Sequence, residues 1–295
     1  MTTFGRILVP LDGSHLAEAI LPSAEALARR LGSVLVLVHA VEEDPPAAVH
    51  GEPHLASRAG AQAYLEHQRE HYLQKGLEVE IHVSGPQEED VAEAIERLAA
   101  NLDIDLVAMC AHGRLTLRDR VIGPIAQRVL RGGRTPIMMR TSGASAEHTV
   151  ELRRILFPVD FRHDLGAATN AVVALARESE AVVTLLHAVD LRPSGLPARM
   201  LPNTTAAVAE LERDAARPRL AELAASLRGR DVSTEIRLSA EPADEAILGC
   251  ARTLEPDLIV LVTHGRSGIV AWYERSIGRR MIEEPGLTLL LLREV

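Results

Sequence analysis

Lysine is almost missing from this chain, cysteine is scarce, and no apolar run is long enough to cross a bilayer. Of its 32 basic residues only Lys75 is a lysine, so arginines near any chosen loop are partly a habit of composition. The only cysteines are Cys110 and Cys250, each inside an apolar segment without Cys or His at metal-ligand spacing. That excludes a disulfide framework or a zinc motif and leaves two buried free thiols as the expectation. The segments ILVPL, VLVLVHAV, DLVAMC, AVVTLLHAV, DLIVLV and LTLLLL are far shorter than a membrane span and read as buried strands. The first residues, MTTFGRILVP, enter a strand with no basic, apolar and small-residue leader pattern, so a cytoplasmic address is expected. Two catalytic signatures are also missing, the G-x-S-x-G nucleophile elbow and the G-x-x-x-x-G-K-[ST] phosphate loop. A formal net charge of -9 argues against general attraction to nucleic acid or an anionic membrane, so any anion site must be local.

What is present is one unit used twice. RILVPLD (6–12) returns as RILFPVD (154–160), LVHAV (37–41) as LLHAV (185–189), and AHGR (111–114) as THGR (263–266). A chain of 295 residues, 47% hydrophobic and 25% charged, suits two ordinary globular domains, each with its own core. The stretch TSGASAEHTVE (141–151) lacks apolar periodicity and reads as the linker, giving domains over 1–142 and 150–295.

Within the first unit a strand at 6–11 precedes a helix over 15–32, whose apolar positions recur at helical spacing and stop at Gly32. A strand at 34–41 and a Pro- and Gly-containing loop, EEDPPAAVHGEPH, follow, then a long helix through about Lys75 and a strand at 77–83. A helix over 86–100, the strand IDLVAMC, a loop, a helix from about 123 and the strand TPIMMR complete the unit, and the second repeats the order. Strands apolar at nearly every position and alternating with helices predict an α/β fold. Each domain should be doubly wound, a five-stranded parallel sheet with helices on both faces. Ligands of such sheets bind beyond the strand carboxyl ends where strand order reverses. In this chain those ends carry Asp12-Gly13-Ser14, Val41 and Cys110–Gly113, then Asp160-Phe161-Arg162, Val189 and Val262–Gly265.

ILVPLDGS, answered by ILFPVDFR in the second half, the HAV ending of the second strand and HGR after the fourth strand in both halves, and SGP before the third helix of the first resemble the universal stress proteins in their tandem form. The resemblance covers nearly the whole length. It implies a Rossmann-like adenine-nucleotide-binding fold, a stress-response regulator and ATP or another adenine nucleotide as ligand, with Mg2+ an open question. The family's phosphate loop is written G-x-x-G, nine residues, then G-S or G-T. Glycines there let backbone N–H groups approach phosphates, and the last pair opens a helix whose N-terminus favours anions. The first unit reads Cys110-Ala111-His112-Gly113, nine residues, Gly123-Pro124; the second reads Val262-Thr263-His264-Gly265, nine residues, Arg275-Ser276. Cys110 and Val262 stand where the first glycine is expected, Pro124 lacks both hydroxyl and N–H, and Arg275 puts a long cation where bare backbone is expected.

By resemblance the candidate binding residues are Asp12, Val41, Cys110, His112, Gly113, Arg114 and Gly123 in the first unit. Asp160, Val189, His264, Gly265, Arg266 and Ser276 take their places in the second. Asp12 and Asp160 would accept from ribose or base, Val41 and Val189 would wall the base, and Arg114, Arg118, Arg266 and Arg275 could hold phosphate oxygens. Solvated or ion-paired arginines are an equal alternative, and Asp12 could instead cap the following helix. Phe161 and Arg162 replace Gly13 and Ser14, which makes the first site the better candidate. His39 and His187 read as satisfied core residues, His112 and His264 as loop-fixing, and His50 and His54 as solvated loop residues rather than metal ligands. No residue is assigned a catalytic role, and at most weak ATPase activity is expected. The rival functions are a nucleotide-free interaction module and a very slow ATP hydrolase. Also by resemblance, TPIMMR and LTLLLL lie at sheet edges and pair across a pseudo-two-fold axis, an intramolecular imitation of a homodimer, with further homodimerisation left open.

Overall fold

In the computed structural model the described residues are 4–43, 48–49, 51–85, 90–111, 123–132, 135–141, 151–189, 202–263 and 276–293. The first domain runs β1 (Arg6–Pro10), α1 (His15–Glu18), α2 (Leu21–Leu31), β2 (Val34–Ala40), a small hairpin β3 (Ala48–Val49) and β4 (Glu52–Pro53), and α3 (Arg58–Gln74). It continues through β5 (Val79–Ser84), α4 (Val91–Asn101), β6 (Leu106–Cys110), α5 (Pro124–Gly132) and β7 (Ile137–Arg140). The second runs β8 (Arg154–Pro158), α6 (Gly166–Ser179), β9 (Val182–Ala188), α7 (Pro202–Arg228) and β10 (Thr234–Ser239). It ends with α8 (Ala243–Leu254), β11 (Leu258–Thr263), α9 (Ser276–Glu283) and β12 (Thr288–Arg293).

Each domain contributes five parallel strands, ordered β5-β2-β1-β6-β7 and β10-β9-β8-β11-β12. The two sets join into one ten-stranded sheet because β7 and β12 pair antiparallel, with Met138 opposite Leu290 and Met139 opposite Leu289. The expected intramolecular pairing of last strands is therefore present. Buried side chains form one apolar cluster on each sheet face, and each runs through both domains. Ile7, Leu35, Phe157 and Leu290 lie on one face; Leu8, Ile95, Met139 and Leu291 lie on the other. A repeated polar device fixes the sheet's amino end: Asp105 accepts from the Arg6 amide at 3.0 Å, and Asp257 accepts from the Arg153 and Arg154 amides at 2.8 Å.

Three local expectations need correction. The helix expected over 15–32 is broken at Ala19–Ile20, because Pro22 lacks the N–H that would reach the Glu18 carbonyl and its ring crowds that turn. Pro22 instead sits in the first turn of α2, where proline is tolerated, and Gly32 closes that helix at φ 64°. The stretch after β2 is more than a loop, since β3 and β4 pair within it. His54 is not solvated either: its side chain is 4% exposed and its Nε2 lies 3.1 Å from Glu42. His50 and the linker core at 142–150 lie outside the described residues.

Candidate functional site

Strand order reverses between β1 and β6 in the first domain and between β8 and β11 in the second, so the carboxyl ends of these pairs flank each candidate site. In the first, Asp12 leaves β1 into Gly13, whose φ of 87° suits glycine. The Asp12 Oδ1 accepts from the Ser14 amide at 2.9 Å and the Ser14 hydroxyl at 2.6 Å. Ser14 Oγ in turn accepts from the Ala17 amide at 3.1 Å, so Ser14 caps α1 and Asp12 holds the cap in place. The capping role weighed for Asp12 is thus one residue removed.

A strap from β4 crosses this end of the sheet. Glu52 accepts from the His15 amide at 2.8 Å, and Leu55 lies so close to Gly13 that a Cβ there would meet its Cδ1 at 2.8 Å. Gly13 is required twice, by its dihedral angle and by this contact. His39, buried, places Nδ1 2.8 Å from the Leu11 carbonyl and Nε2 3.1 Å from that of Leu55, tying the end of β1 to the strap. That is the satisfied core role expected of it. Its counterpart His187 approaches the Val159 carbonyl at 2.8 Å.

Val41 continues the sheet through its amide to the Ser84 carbonyl at 3.2 Å. The Cys110 thiol is 3.9 Å from the Ala17 carbonyl, and burial pushes its pKa up to about 12 against the opposing pull of Arg140. Burial of this kind disfavours the thiolate that a nucleophile needs. Cys110 and Cys250 are both only partly buried where buried thiols were expected, and burial raises the Cys250 pKa as well. His112, Gly113 and Arg114 lie outside the described residues, as do His264, Gly265 and Arg266. The base of the first loop is visible: the Gly123 amide donates to the Ala111 carbonyl at 3.2 Å, and the Gly123 carbonyl accepts from Gln127 at 2.9 Å. Gly123 therefore stands just before the first turn of α5, and Pro124 opens that helix at the position where its missing N–H costs nothing. The next two amides, of Ile125 and Ala126, have no acceptor within the helix. They are the anion-directed groups this end retains.

The second site is built differently. Arg162 folds back on Asp160, with Nε 2.9 and 3.1 Å from its two oxygens, Nη2 at 2.6 Å and the backbone amide at 3.0 Å. The Phe161 ring lies 4.5 Å from the Arg219 guanidinium and 5.3 Å from the His187 ring. Val189 is 2% exposed, its amide bonded to the Ser239 carbonyl at 2.9 Å, and Ser276 opens α9. Burial raises the Asp160 pKa, but the Arg162 side chain and amide outweigh it and hold the carboxyl below its ordinary 3.8. A lowered folded pKa gives stability that is present above 3.8 and lost as pH falls through the lower value. Asp160→Asn should therefore lower the melting temperature slightly at neutral pH, leave it nearly unchanged in strong acid, and so flatten the acid limb of the profile below pH of about 4. An unchanged acid limb would show the pair to be too solvated to matter.

Sequence reading missed Leu55 and Arg219, which reach their sites only through tertiary packing. The Asp160–Arg162 chelate had a signal in the Asp-x-Arg spacing. A cleft of about 620 Å³ lies at the other end of the sheet, among Arg30, Arg153, Arg154, Glu151, Glu180 and Asp257, where three carboxylates face three guanidinium groups.

The family model described as the universal stress protein family matches residues 3–139 and again 151–284. The chain belongs to the universal stress protein family. Its universal stress protein fold recurs in solved structures at low identity. A functionally unknown protein from Pseudomonas aeruginosa PAO1 shares 17% identity over 99% of this chain and 93% of its own, with a TM-score of 0.68. A universal stress protein from Archaeoglobus fulgidus DSM 4304 shares 11% over 98% and 96%, with a TM-score of 0.65. A universal stress protein solved in complex with cAMP aligns with 46% of this chain and 96% of its own at 18% identity and a TM-score of 0.35. No curated protein matches the chain. Among the described residues no universal stress protein helix here is long and apolar enough to cross a membrane.

Proposed function

We propose that this universal stress protein is a cytoplasmic adenine-nucleotide sensor in which the first domain holds ATP and the second serves as its structural partner. The observation that carries this reading is the unequal build of the two ends. At the first, the Gly123–Ala111 hydrogen bond holds the start of α5 beside the carboxyl end of β6, with the Ile125 and Ala126 amides left without an acceptor in the helix. At the second, Asp160 is chelated by Arg162, and a ribose or base would have to displace a guanidinium to reach it. Asp12 takes the adenosine, Val41 walls the base, and the N-terminus of α5 faces the phosphates, whose charge Mg2+ accompanies. Binding changes the surface the protein presents, and no residue is assigned to turnover.

The nucleotide-free module is the second reading, and the Asp160–Arg162 chelate favours it for the second domain. The two separate in one experiment. Protein purified without added nucleotide, then denatured, should release about one equivalent of adenine nucleotide per chain, or the empty protein should gain melting temperature with Mg-ATP. Two equivalents would restore the second site to function. Neither release nor a thermal shift would establish the nucleotide-free module.

A further inference from the structure

The ten-stranded sheet ends at β5 and β10, and these two edges are repeat counterparts with opposite fates. On β5, Glu80 is committed to Arg6 through two hydrogen bonds of 2.7 and 2.9 Å, and His82 lies 3.5 Å from the same carboxylate. Arg154 occupies in β8 the place of Arg6 in β1, yet it lines the cleft at the amino end instead of reaching β10. Glu235 and Arg237, the β10 counterparts of Glu80 and His82, are exposed and carry no ion pair or hydrogen bond among the described residues. Between them Ile236 is 37% exposed, an apolar side chain on an open sheet edge. We propose that β10 is the docking surface for a second copy of this chain, pairing antiparallel with its own counterpart about a two-fold axis through Ile236.

Backbone direction and charge select that register together. The Val183 and Val189 amides donate to the Ser233 and Ser239 carbonyls, so alternate residues from Ser233 to Ser239 turn their polar groups inward to β9. By alternation, Thr234, Ile236 and Leu238 turn theirs outward. An antiparallel partner centred on Ile236 meets these outward groups at hydrogen-bonded positions, Ile236 against itself and Thr234 against Leu238. The same register sets Glu235 of each copy opposite Arg237 of the other at the non-hydrogen-bonded positions, where side chains approach most closely. Centring on Glu235 or Arg237 would instead oppose like charges. Parallel pairing would not close on two chains. One outward group already has a local donor: Arg228 Nη2 lies 3.1 Å from the Thr234 carbonyl, whose second lone pair remains for the partner strand. On β5 the same symmetric register would place Glu80 against His82 of a second copy. Glu80 is bound to Arg6 within its own domain, so the charge that would recruit a partner is already spent there.

The test is sedimentation velocity on the full chain from about 5 to about 500 μM, the range suited to a small interface. The wild type should form dimers with rising concentration. Glu235→Arg and Arg237→Glu should each weaken association by at least about tenfold, since each turns two attractive cross-strand pairs into two repulsive ones. An equimolar mixture of the two variants should associate again, because one chain then offers two arginines and the other two glutamates. That recovery separates lost complementarity from lost folding. The proposal fails if the wild type stays monomeric throughout, if either single exchange leaves a dimer intact, or if the mixed variants remain monomeric.

Discussion

Asp12→Ala is expected to lower ATP affinity by about tenfold or more, while Asp160→Ala leaves it within about twofold. A hydrogen bond to a charged group contributes about 1.5–3 kcal/mol, and each 1.4 kcal/mol is about a factor of ten. Asp160 already spends both oxygens on Arg162, so its loss removes little that a ligand could have used. On the proposed placement of Asp12 at the adenosine end, Asp12→Ala should weaken adenosine and ATP in the same proportion. A changed ATP-to-adenosine ratio would place it beside phosphate instead. Asp12→Asn controls for structure, since it keeps an oxygen to accept from Ser14 and preserves the cap of α1 while removing the charge. Titration calorimetry reads all three variants, and equal loss at Asp12 and Asp160 would overturn the ranking of the two sites.

Most of the fold was legible because the repeat displays each strand twice, and a strand buried on both faces announces itself as an uninterrupted apolar run. RILVP and RILFP, and VLVLVHA and VVTLLHA, lie where their pattern puts them. The pairing of β7 with β12 came from family resemblance; periodicity alone cannot say which strand lies next to which. Departures came from single residues and from tertiary contact. Pro22 broke a helix whose apolar spacing continues across it, an interruption the residue itself signals. The β3–β4 hairpin and the burial of His54 against Glu42 had no local signal, because both depend on the strap folding over the end of β1. For the candidate site, the carboxyl-end residues were readable from strand ends alone. The inequality between the sites was half readable: Phe161 and Arg162 stood out against Gly13 and Ser14, but Arg219 on the aromatic ring came from a distant helix.

The other large effect concerns the seam. Leu290→Ala should destabilise the chain by about 2–5 kcal/mol, whereas Ile236→Ala on the open edge should cost less than about 1 kcal/mol at low protein concentration. Leu290 is 1% exposed and sits opposite Met138, itself 1% exposed, in the antiparallel pair that joins the domains. Truncation there opens a cavity that neither domain can fill by moving alone, because each strand is also held by its parallel neighbour. The apolar clusters cross the seam on both faces, so the wild type should unfold in one cooperative urea transition, and the variant's melting temperature should fall by about 5–10 °C. If Leu290→Ala instead splits unfolding into two transitions, the seam supplies the coupling between the domains as well as stability. If it costs no more than Ile236→Ala, the domains are held by their own cores and the continuous sheet contributes little. The comparison weighs a buried strand pair against an exposed edge in the same chain, which removes differences in the unfolded state common to both variants.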